Sequence, residues 1–187
     1  NETDARRYGF KYRPNFFTNE FLYAGESKTI DLFYKGTARD KKRSDTLQRL
    51  ATVLGGYKNE LTLFVRGNYW RNIHRVPSYS FFKKHCDNVH LDISELAKKY
   101  KKSRVLLDVA YRGQTGLGLR PLEALASNSK LITTNENIVN YDFFNQDNIF
   151  LLKEDFSNVS AIKDFFNSPF IPYEPKLTKK YSIDGFL

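Results

Sequence analysis

Residues 114–126, Gln-Thr-Gly-Leu-Gly-Leu-Arg-Pro-Leu-Glu-Ala-Leu-Ala, carry the side-chain types and spacing best suited to chemistry in this chain. They follow the apolar run Val105–Val109 and precede Lys130-Leu-Ile-Thr-Thr-Asn135, so the order reads strand, glycine loop, helix, strand. Gly116 and Gly118 are expected to adopt backbone angles closed to other residues and to let a ligand approach the main chain. Pro121 suits the first helical turn, where its missing N–H costs nothing. The helix start offers unpaired N–H groups and a positive dipole end, which together favour a phosphate. Glu123, one turn further on, is placed to accept hydrogen bonds from the two hydroxyls of a ribose. A phosphate and a ribose side by side describe a nucleotide. In the competing reading Glu123 only complements the helix dipole, but its capping-box partner would be Arg120, which cannot play that part.

A second constellation lies at residues 36–43, where Gly36 is followed by Arg39, Lys41, Lys42 and Arg43. A basic loop facing a glycine-rich turn makes a cradle for a pyrophosphate. Neither stretch is the Gly-x-Gly-x-x-Gly dinucleotide fingerprint or the Gly-x4-Gly-Lys-Ser/Thr phosphate loop, since Pro121 stands where the third glycine would be. Simple dehydrogenase and ATPase chemistry is therefore disfavoured. His74, His85 and His90 are scattered without metal-ligand spacing and are assigned structural roles. Asp108, inside an apolar run, reads as a satisfied structural carboxylate. Two roles stay open for Gln114: a hydrogen bond to the ligand, or a cap on its own loop.

The elements that must position these residues alternate. Thr29–Tyr34 reads as a strand, 35–43 as a loop, and Ser44 or Asp45 as the cap of a helix running to about Leu54, where Gly55-Gly56 ends it. Leu61–Val65 is a second strand, Tyr79–Lys84 a short helix and Val89–Leu91 a brief third strand. Asp92 or Ser94 caps a helix over Glu95–Tyr100. Val105–Val109, Leu131–Thr133 and Ile149–Leu152 supply three further strands, and Val159–Phe166 is helical. Continuous apolar strands separated by helices indicate an α/β fold with a parallel, doubly wound, Rossmann-like sheet. Ligands of such sheets sit beyond the carboxyl ends of the strands. Residues 1–28 are expected to be a lead-in segment, 29–170 the Rossmann-like domain, and 171–187 a linker with a return segment.

The chain has 187 residues and a formal net charge of +9. Residues 1–113 hold 23 Lys/Arg against 12 Asp/Glu, whereas residues 114–187 hold 7 against 9. A basic half suits an anionic partner such as a nucleotide or an anionic membrane surface. A nucleic-acid reading rests on charge alone and is not favoured: the 16 Phe and 12 Tyr fall mostly at strand or helix spacing, which assigns them to a core. The single Cys86 cannot form an internal disulfide, so a reducing compartment is expected. No run of about 18 apolar residues is present to span a membrane. The sequence contains no Met and is expected to be part of something longer.

Residues 115–126 followed by Lys130–Asn135 resemble the donor-site signature of GT-B glycosyltransferases, in which a Glu-Gly-Phe-Gly-Leu-x-Pro-Leu-Glu-Ala stretch precedes a strand ending in Thr or Ser. The Gly-Gln-Thr-Gly-Leu version, with Asn140–Phe144 after it, is most similar to bacterial lipopolysaccharide-core and capsule enzymes, and the basic Arg39–Arg43 resembles their phosphate loop. The resemblance covers residues 8–187, one half of such an enzyme. It implies a donor site in which Glu123 binds the ribose and Gly116, Leu117 and Gly118 present N–H groups to the diphosphate. Arg39, Lys41 and Arg43 would neutralise the diphosphate and stabilise the leaving group, and Gly36, Gln114, Thr115 and Arg120 would complete the donor-binding set. Thr115 departs from the family's first glutamate, which leaves the donor sugar and the stereochemical outcome open. The resemblance further implies a nucleoside-diphosphate sugar as donor, a glycan or lipid-linked acceptor, no metal or other cofactor, and a separate N-terminal domain holding the catalytic base. It also implies a cytoplasmic location, with peripheral contact at the inner membrane.

Overall fold

The computed structural model describes residues 2–37, 41–64, 81, 84–87, 89–111 and 113–187. Six strands form one all-parallel sheet: β1 (Ile30–Thr37), β2 (Asn59–Phe64), β3 (Cys86–Asp87), β4 (Ser103–Asp108), β5 (Lys130–Thr133) and β6 (Ile149–Leu151). Their spatial order is β3-β2-β1-β4-β5-β6, so the winding direction reverses between β1 and β4. Helices cover both faces, and the expected doubly wound, Rossmann-like architecture is what the chain adopts.

Strand alternation builds the two layers. Leu32 and Tyr34 of β1, Leu61 and Leu63 of β2, and Val105 and Leu107 of β4 point to one face. There they meet Leu47 and Leu50 of helix α2 (Lys41–Val53) and Phe165 and Phe166 of the later helix Ile162–Asn167. Phe33, Leu106 and Leu131 point the other way. They pack on Ala97 and Tyr100 of α3 (Ile93–Lys101) and on Leu122 and Leu125 of α4 (Arg120–Ala126). The start of α3 is fixed by a capping box in which Asp92 accepts from the Glu95 N–H and Glu95 reaches back to the Asp92 N–H.

Several boundaries differ from the sequence reading. β1 continues through Thr37, paired with β2 as far as Thr37↔Phe64, so Gly36 is a strand residue and not a loop residue. α2 starts at Lys41, which puts Lys41, Lys42 and Arg43 in its first turn. The third strand is Cys86–Asp87, since the edge of β2 pairs there, and Val89–Leu91 is irregular. The region 159–167 begins as a 3-10 turn before becoming α-helical at Ile162. The expected helix at 79–84 lies largely outside the described residues.

The two ends of the chain run together. Phe17 bridges in parallel to Ser182, with its N–H on the Tyr181 carbonyl at 2.9 Å and its own carbonyl taken by the Ile183 N–H at 2.9 Å. Phe17, Phe21 and Tyr181 are buried with the sheet residues of the second face. Among the described residues no helix is long and apolar enough to cross a membrane.

Candidate functional site: the crevice between β1 and β4

The winding reversal leaves a gap. The β1–β4 ladder stops at Phe33↔Leu106, while β1 stays paired with β2 to Thr37 and β4 with β5 to Asp108. Carbonyls past that point on the facing edges of β1 and β4 have no ladder partner, and buried carbonyls need one. Two arginines supply the donors. Arg120, from α4 on one face, donates from Nη2 to the Lys35 carbonyl at 2.7 Å and from Nη1 to the Leu107 carbonyl at 3.1 Å. Arg43, from α2 on the other face, donates from Nη1 to the Thr37 carbonyl at 3.2 Å and from Nη2 to the Val109 carbonyl at 2.7 Å. Each guanidinium therefore ties β1 to β4, one two residues further along than the other. Arg120 also donates from Nε to the Tyr100 hydroxyl at 3.0 Å and lies 4.8 Å from the centre of the Tyr34 ring. Arg43 is only 6% exposed and stacks 4.0 Å from the Tyr111 ring centre. Both residues lie in the expected site, but their fork geometry is directed at strand carbonyls.

Gly36 owes its identity to Tyr34. A Cβ at position 36 would come within 2.4 Å of the Tyr34 hydroxyl oxygen, two residues back on the same strand face, closer than real Cβ atoms come. That hydroxyl is buried and has no hydrogen-bond partner among the described residues. Burial raises its pKa above the usual tyrosine value, so it stays protonated.

The glycine loop is organised by amides. Gln114 closes its own turn, its side-chain oxygen accepting from the Tyr111 N–H at 3.1 Å and its side-chain nitrogen donating to the Gly116 carbonyl at 2.9 Å. Asn135, 3% exposed at the end of β5, donates to the same carbonyl at 3.0 Å. Asn15 reaches across from the N-terminal segment to the Leu117 carbonyl at 2.9 Å. The Gly116 and Leu117 carbonyls are thus occupied by protein amides, while among the described residues no hydrogen bond engages the N–H groups of Gly116, Leu117 and Gly118. Such an arrangement of donors without neighbouring acceptors suits an anion. The left-handed backbone in this stretch falls at Gly113, with φ 75°, and not at Gly116 or Gly118. Added at Gly118, a Cβ would meet nothing closer than 3.8 Å, so the fold itself does not require glycine there. α4 has seven residues and its N-cap, Leu119, offers no side-chain cap. What this stretch offers an anion is accordingly its loop N–H groups more than a helix dipole.

Glu123 sits in the first turn of α4 and is 9% exposed. Burial pushes its carboxyl up to about 7, with Arg120 and the Tyr100 hydroxyl pulling it down and Asp108 adding to the rise. Asp108 accepts from the Thr133 hydroxyl at 3.0 Å and lies 3.8 Å from Arg120, in keeping with a structural carboxylate. The Tyr100 hydroxyl is held protonated by burial, its pKa pushed up to about 12. Near neutral pH Glu123 therefore lies close to the midpoint between its two charge states.

The remaining expected site residues are less central. Lys41 is exposed and pairs with Asp45 one turn on, at 3.8 Å. Lys42 pairs with Glu154. Thr115 is exposed at the loop tip. Arg39 and His74 lie outside the described residues. Among the described residues no group of three or more His, Cys, Asp or Glu is placed to hold a metal ion. Sequence reasoning missed Tyr34, Tyr100, Asn135 and Asn15. Of these, Asn135 alone carried a signal, as the polar end of the Lys130–Asn135 stretch, two positions beyond β5.

No family model matches the chain, and no curated protein matches it. Among solved structures it is similar to a chain of the crystal structure of accessory secretory protein 1, 2 and 3 in Streptococcus pneumoniae, with a TM-score of 0.54 and 16% identity over 89% of this chain and 35% of that one. A chain of the crystal structure of a GtfA/B complex gives a TM-score of 0.49 and 14% identity over 90% and 36%, a likeness too slight to carry an argument. At these identities the first likeness is one of fold. The chain spans about a third of the length of both structures.

Proposed function

We propose that the chain is the nucleotide-sugar-binding domain of a GT-B glycosyltransferase that transfers a sugar from a nucleoside-diphosphate sugar to a lipopolysaccharide or polysaccharide acceptor. The observation that carries this reading is the Gly116–Gly118 loop, in which the Gly116 and Leu117 carbonyls are occupied by Gln114, Asn135 and Asn15 while, among the described residues, no hydrogen bond engages its N–H groups. That loop stands at the carboxyl ends of β1 and β4, where the winding reverses and where ligands of such sheets sit. In this reading the N–H groups hold the diphosphate and stabilise the charge that grows on it as the sugar leaves. Glu123 accepts from the ribose hydroxyls. Arg43 and Arg120 contribute their positive field, with the terminal nitrogens of each engaged by strand carbonyls. The general base and acceptor site belong to an N-terminal domain, and the chain alone transfers no sugar. The boundaries 1–28, 29–170 and 171–187, metal independence, and a cytoplasmic site of action with peripheral membrane contact belong to the same proposal.

The engaged guanidiniums favour a second reading, a non-catalytic nucleotide-binding or interaction module on this fold, because they leave fewer mobile donors for a leaving phosphate. Calorimetric titration of the chain with UDP, GDP, ADP, CDP and TDP, in EDTA, tests the shared core of both. One of them is expected to bind, and Glu123→Gln to weaken it by roughly 1.5–3 kcal/mol, the loss of a charged acceptor. Absence of binding by all five overturns the nucleotide reading. Sugar transfer by the longer protein then separates the catalytic reading from the non-catalytic one.

A further inference from the structure

A cavity of about 540 Å³, within the size range of small-molecule sites, lies at the amino ends of β1, β4 and β5. This is the end of the sheet opposite the glycine loop and helix α1 (Glu2–Tyr8), which faces that loop across a separate cavity. The length of β4 alone sets the two ends roughly 20 Å apart. Lys28, Arg104 and Lys130 line the cavity with Asn128 and the rings of Tyr23 and Phe170, and none of its lining residues is Asp or Glu. Lys28 donates to the Ser127 carbonyl at 2.7 Å and the Ser129 hydroxyl at 3.0 Å, so one of its N–H groups is left over. Arg104 donates to Asp31 at 3.1 Å and to the Phe166 carbonyl at 3.3 Å, which leaves Nε and one proton on each terminal nitrogen. Asn128, left-handed at φ 49° in the turn that ends α4, has a side-chain amide with no hydrogen bond among the described residues. Lys130, 3% exposed, is saturated by the Ser168 hydroxyl and the Phe165 and Ser168 carbonyls and contributes charge alone. Neither lysine forms an ion pair among the described residues. Burial pulls both ammonium groups down to about 8, against the opposing pull of Glu26 on Lys28 and Asp147 on Lys130, and Arg104 adds to the fall at Lys130.

We propose that this cavity binds a phosphomonoester carried on an aromatic or apolar body, with Lys28, Arg104 and Asn128 donating to the phosphate and Tyr23 and Phe170 flanking the body. Lys28 and Lys130 also cap the carboxyl ends of two helices, which accounts for their own bonds but not for the spare donors of Arg104 and Asn128. Donors from three separate elements suit a phosphate, with its three acceptor oxygens and nearly two charges, better than a carboxylate with two oxygens and one charge. Inorganic phosphate alone would leave the Tyr23 and Phe170 walls uncovered, whereas an aromatic ring packs on them. A neutral sugar or peptide brings donors as well as acceptors and leaves the lysine charges without a counter-charge. The site stands apart from the nucleotide reading and does not depend on it.

Amide NMR of the 187-residue chain, titrated with phenyl phosphate, inorganic phosphate and phenol, tests this. Phenyl phosphate is expected to give saturable shifts at Arg104, Asn128, Lys130 and Phe170, with a midpoint at least five-fold below that of inorganic phosphate, and phenol to give none. Lys28→Gln and Arg104→Gln should each raise that midpoint at least five-fold, and Phe170→Ala should bring it close to that of inorganic phosphate. A thermal melt of each variant checks that the fold is kept; if Arg104→Gln, which also releases Asp31, does not fold, Lys28→Gln decides. No saturable shift at these amides, shifts confined to Gly116–Gly118, or a midpoint unchanged in folded Lys28→Gln overturns the site. Titration with the nucleoside diphosphates, read at the Gly116–Gly118 amides, reports the nucleotide reading separately, so the two can fail independently. Phosphatidylcholine vesicles with and without phosphatidic acid then identify the source of the phosphate. Displacement of phenyl phosphate by the acidic vesicles alone assigns it to a lipid headgroup, and its persistence assigns it to a soluble compound.

Discussion

Replacing Arg120 by Met keeps most of the aliphatic stem and removes every donor. Three acceptors lose their partner: the Lys35 carbonyl at 2.7 Å, the Leu107 carbonyl at 3.1 Å and the Tyr100 hydroxyl at 3.0 Å. Hydrogen bonds to a charged group contribute about 1.5–3 kcal/mol each, and the three together would suggest more than the fold can lose. The guanidinium's own dehydration offsets part of this, since a buried ion is costly to place. Glu123 limits the loss further, because its carboxyl already sits near 7 and can take up a proton when the positive charge is gone. Removing one partner from a buried charged arrangement costs about 3–5 kcal/mol, and that is the expected destabilisation. For a domain of this size it corresponds to a fall in melting temperature of about 6–20 °C. Circular dichroism with urea and heat on the wild type, Arg120→Met and Arg120→Lys measures it. Lysine can reach some of the acceptors but not in a fork, so it should fall between the other two. A loss below about 1 kcal/mol for Arg120→Met would refute the claim that the guanidinium holds β1 to β4, and would return Arg120 to the list of residues waiting for a ligand.

Two further outcomes follow from the same crevice. Tyr34→Phe deletes a buried hydroxyl with no partner among the described residues and should stabilise the fold by about 1 kcal/mol, seen as a melting temperature higher by about 2–4 °C; a clear loss of stability would mean that the hydroxyl is bonded. Glu123 gives a pH signature. Its folded carboxyl, at about 7, keeps a proton that the unfolded chain releases near 4.5, so the folded state binds more protons in between and stability falls as pH rises through that window. The drop is about 3 kcal/mol at most, and Glu123→Gln should lack it. Urea midpoints at pH 5 and pH 8 for both proteins test this, and parallel profiles would show that the carboxyl titrates normally.

The parallel sheet was legible because Leu32, Leu106, Leu131 and their neighbours form short apolar runs between helical stretches, and burial on both faces demands such runs. The cap of α3, read as Asp92 or Ser94 and found at Asp92, and the entry of α4 at Pro121 were legible for local reasons, since each depends on residues within one turn. Glu123, Gln114 and the glycine loop could be read together because one continuous stretch carries them. The roles of Arg43 and Arg120 were not legible. They depend on where the β1–β4 ladder stops, and that is decided by strands whose paired residues lie 73 positions apart in sequence. For the same reason Gly36 read as a loop glycine: the clash that excludes a side chain comes from Tyr34, and is visible only once β1 is known to run through Thr37. The start of α2 was placed too late because Lys41–Arg43 looked like loop cations, whereas Arg43 is buried in the first turn and faces the crevice.

The paired arginines also bear on how the molecule comes apart. The sheet consists of two wound halves, β1 to β3 and β4 to β6, and the ladder that joins them has only three register pairs. Left to that seam, the halves could open as separate cooperative units with distinct free energies. Arg43 reaches from the first half to the Val109 carbonyl of the second, and Arg120 from the second to the Lys35 carbonyl of the first. Each half therefore supplies the fastener that the other's last strand residues need, and neither can unfold without stranding carbonyls in its neighbour. Amide exchange on the two halves should then converge on a single opening event, and the crevice keeps its width whether or not anything lies in it.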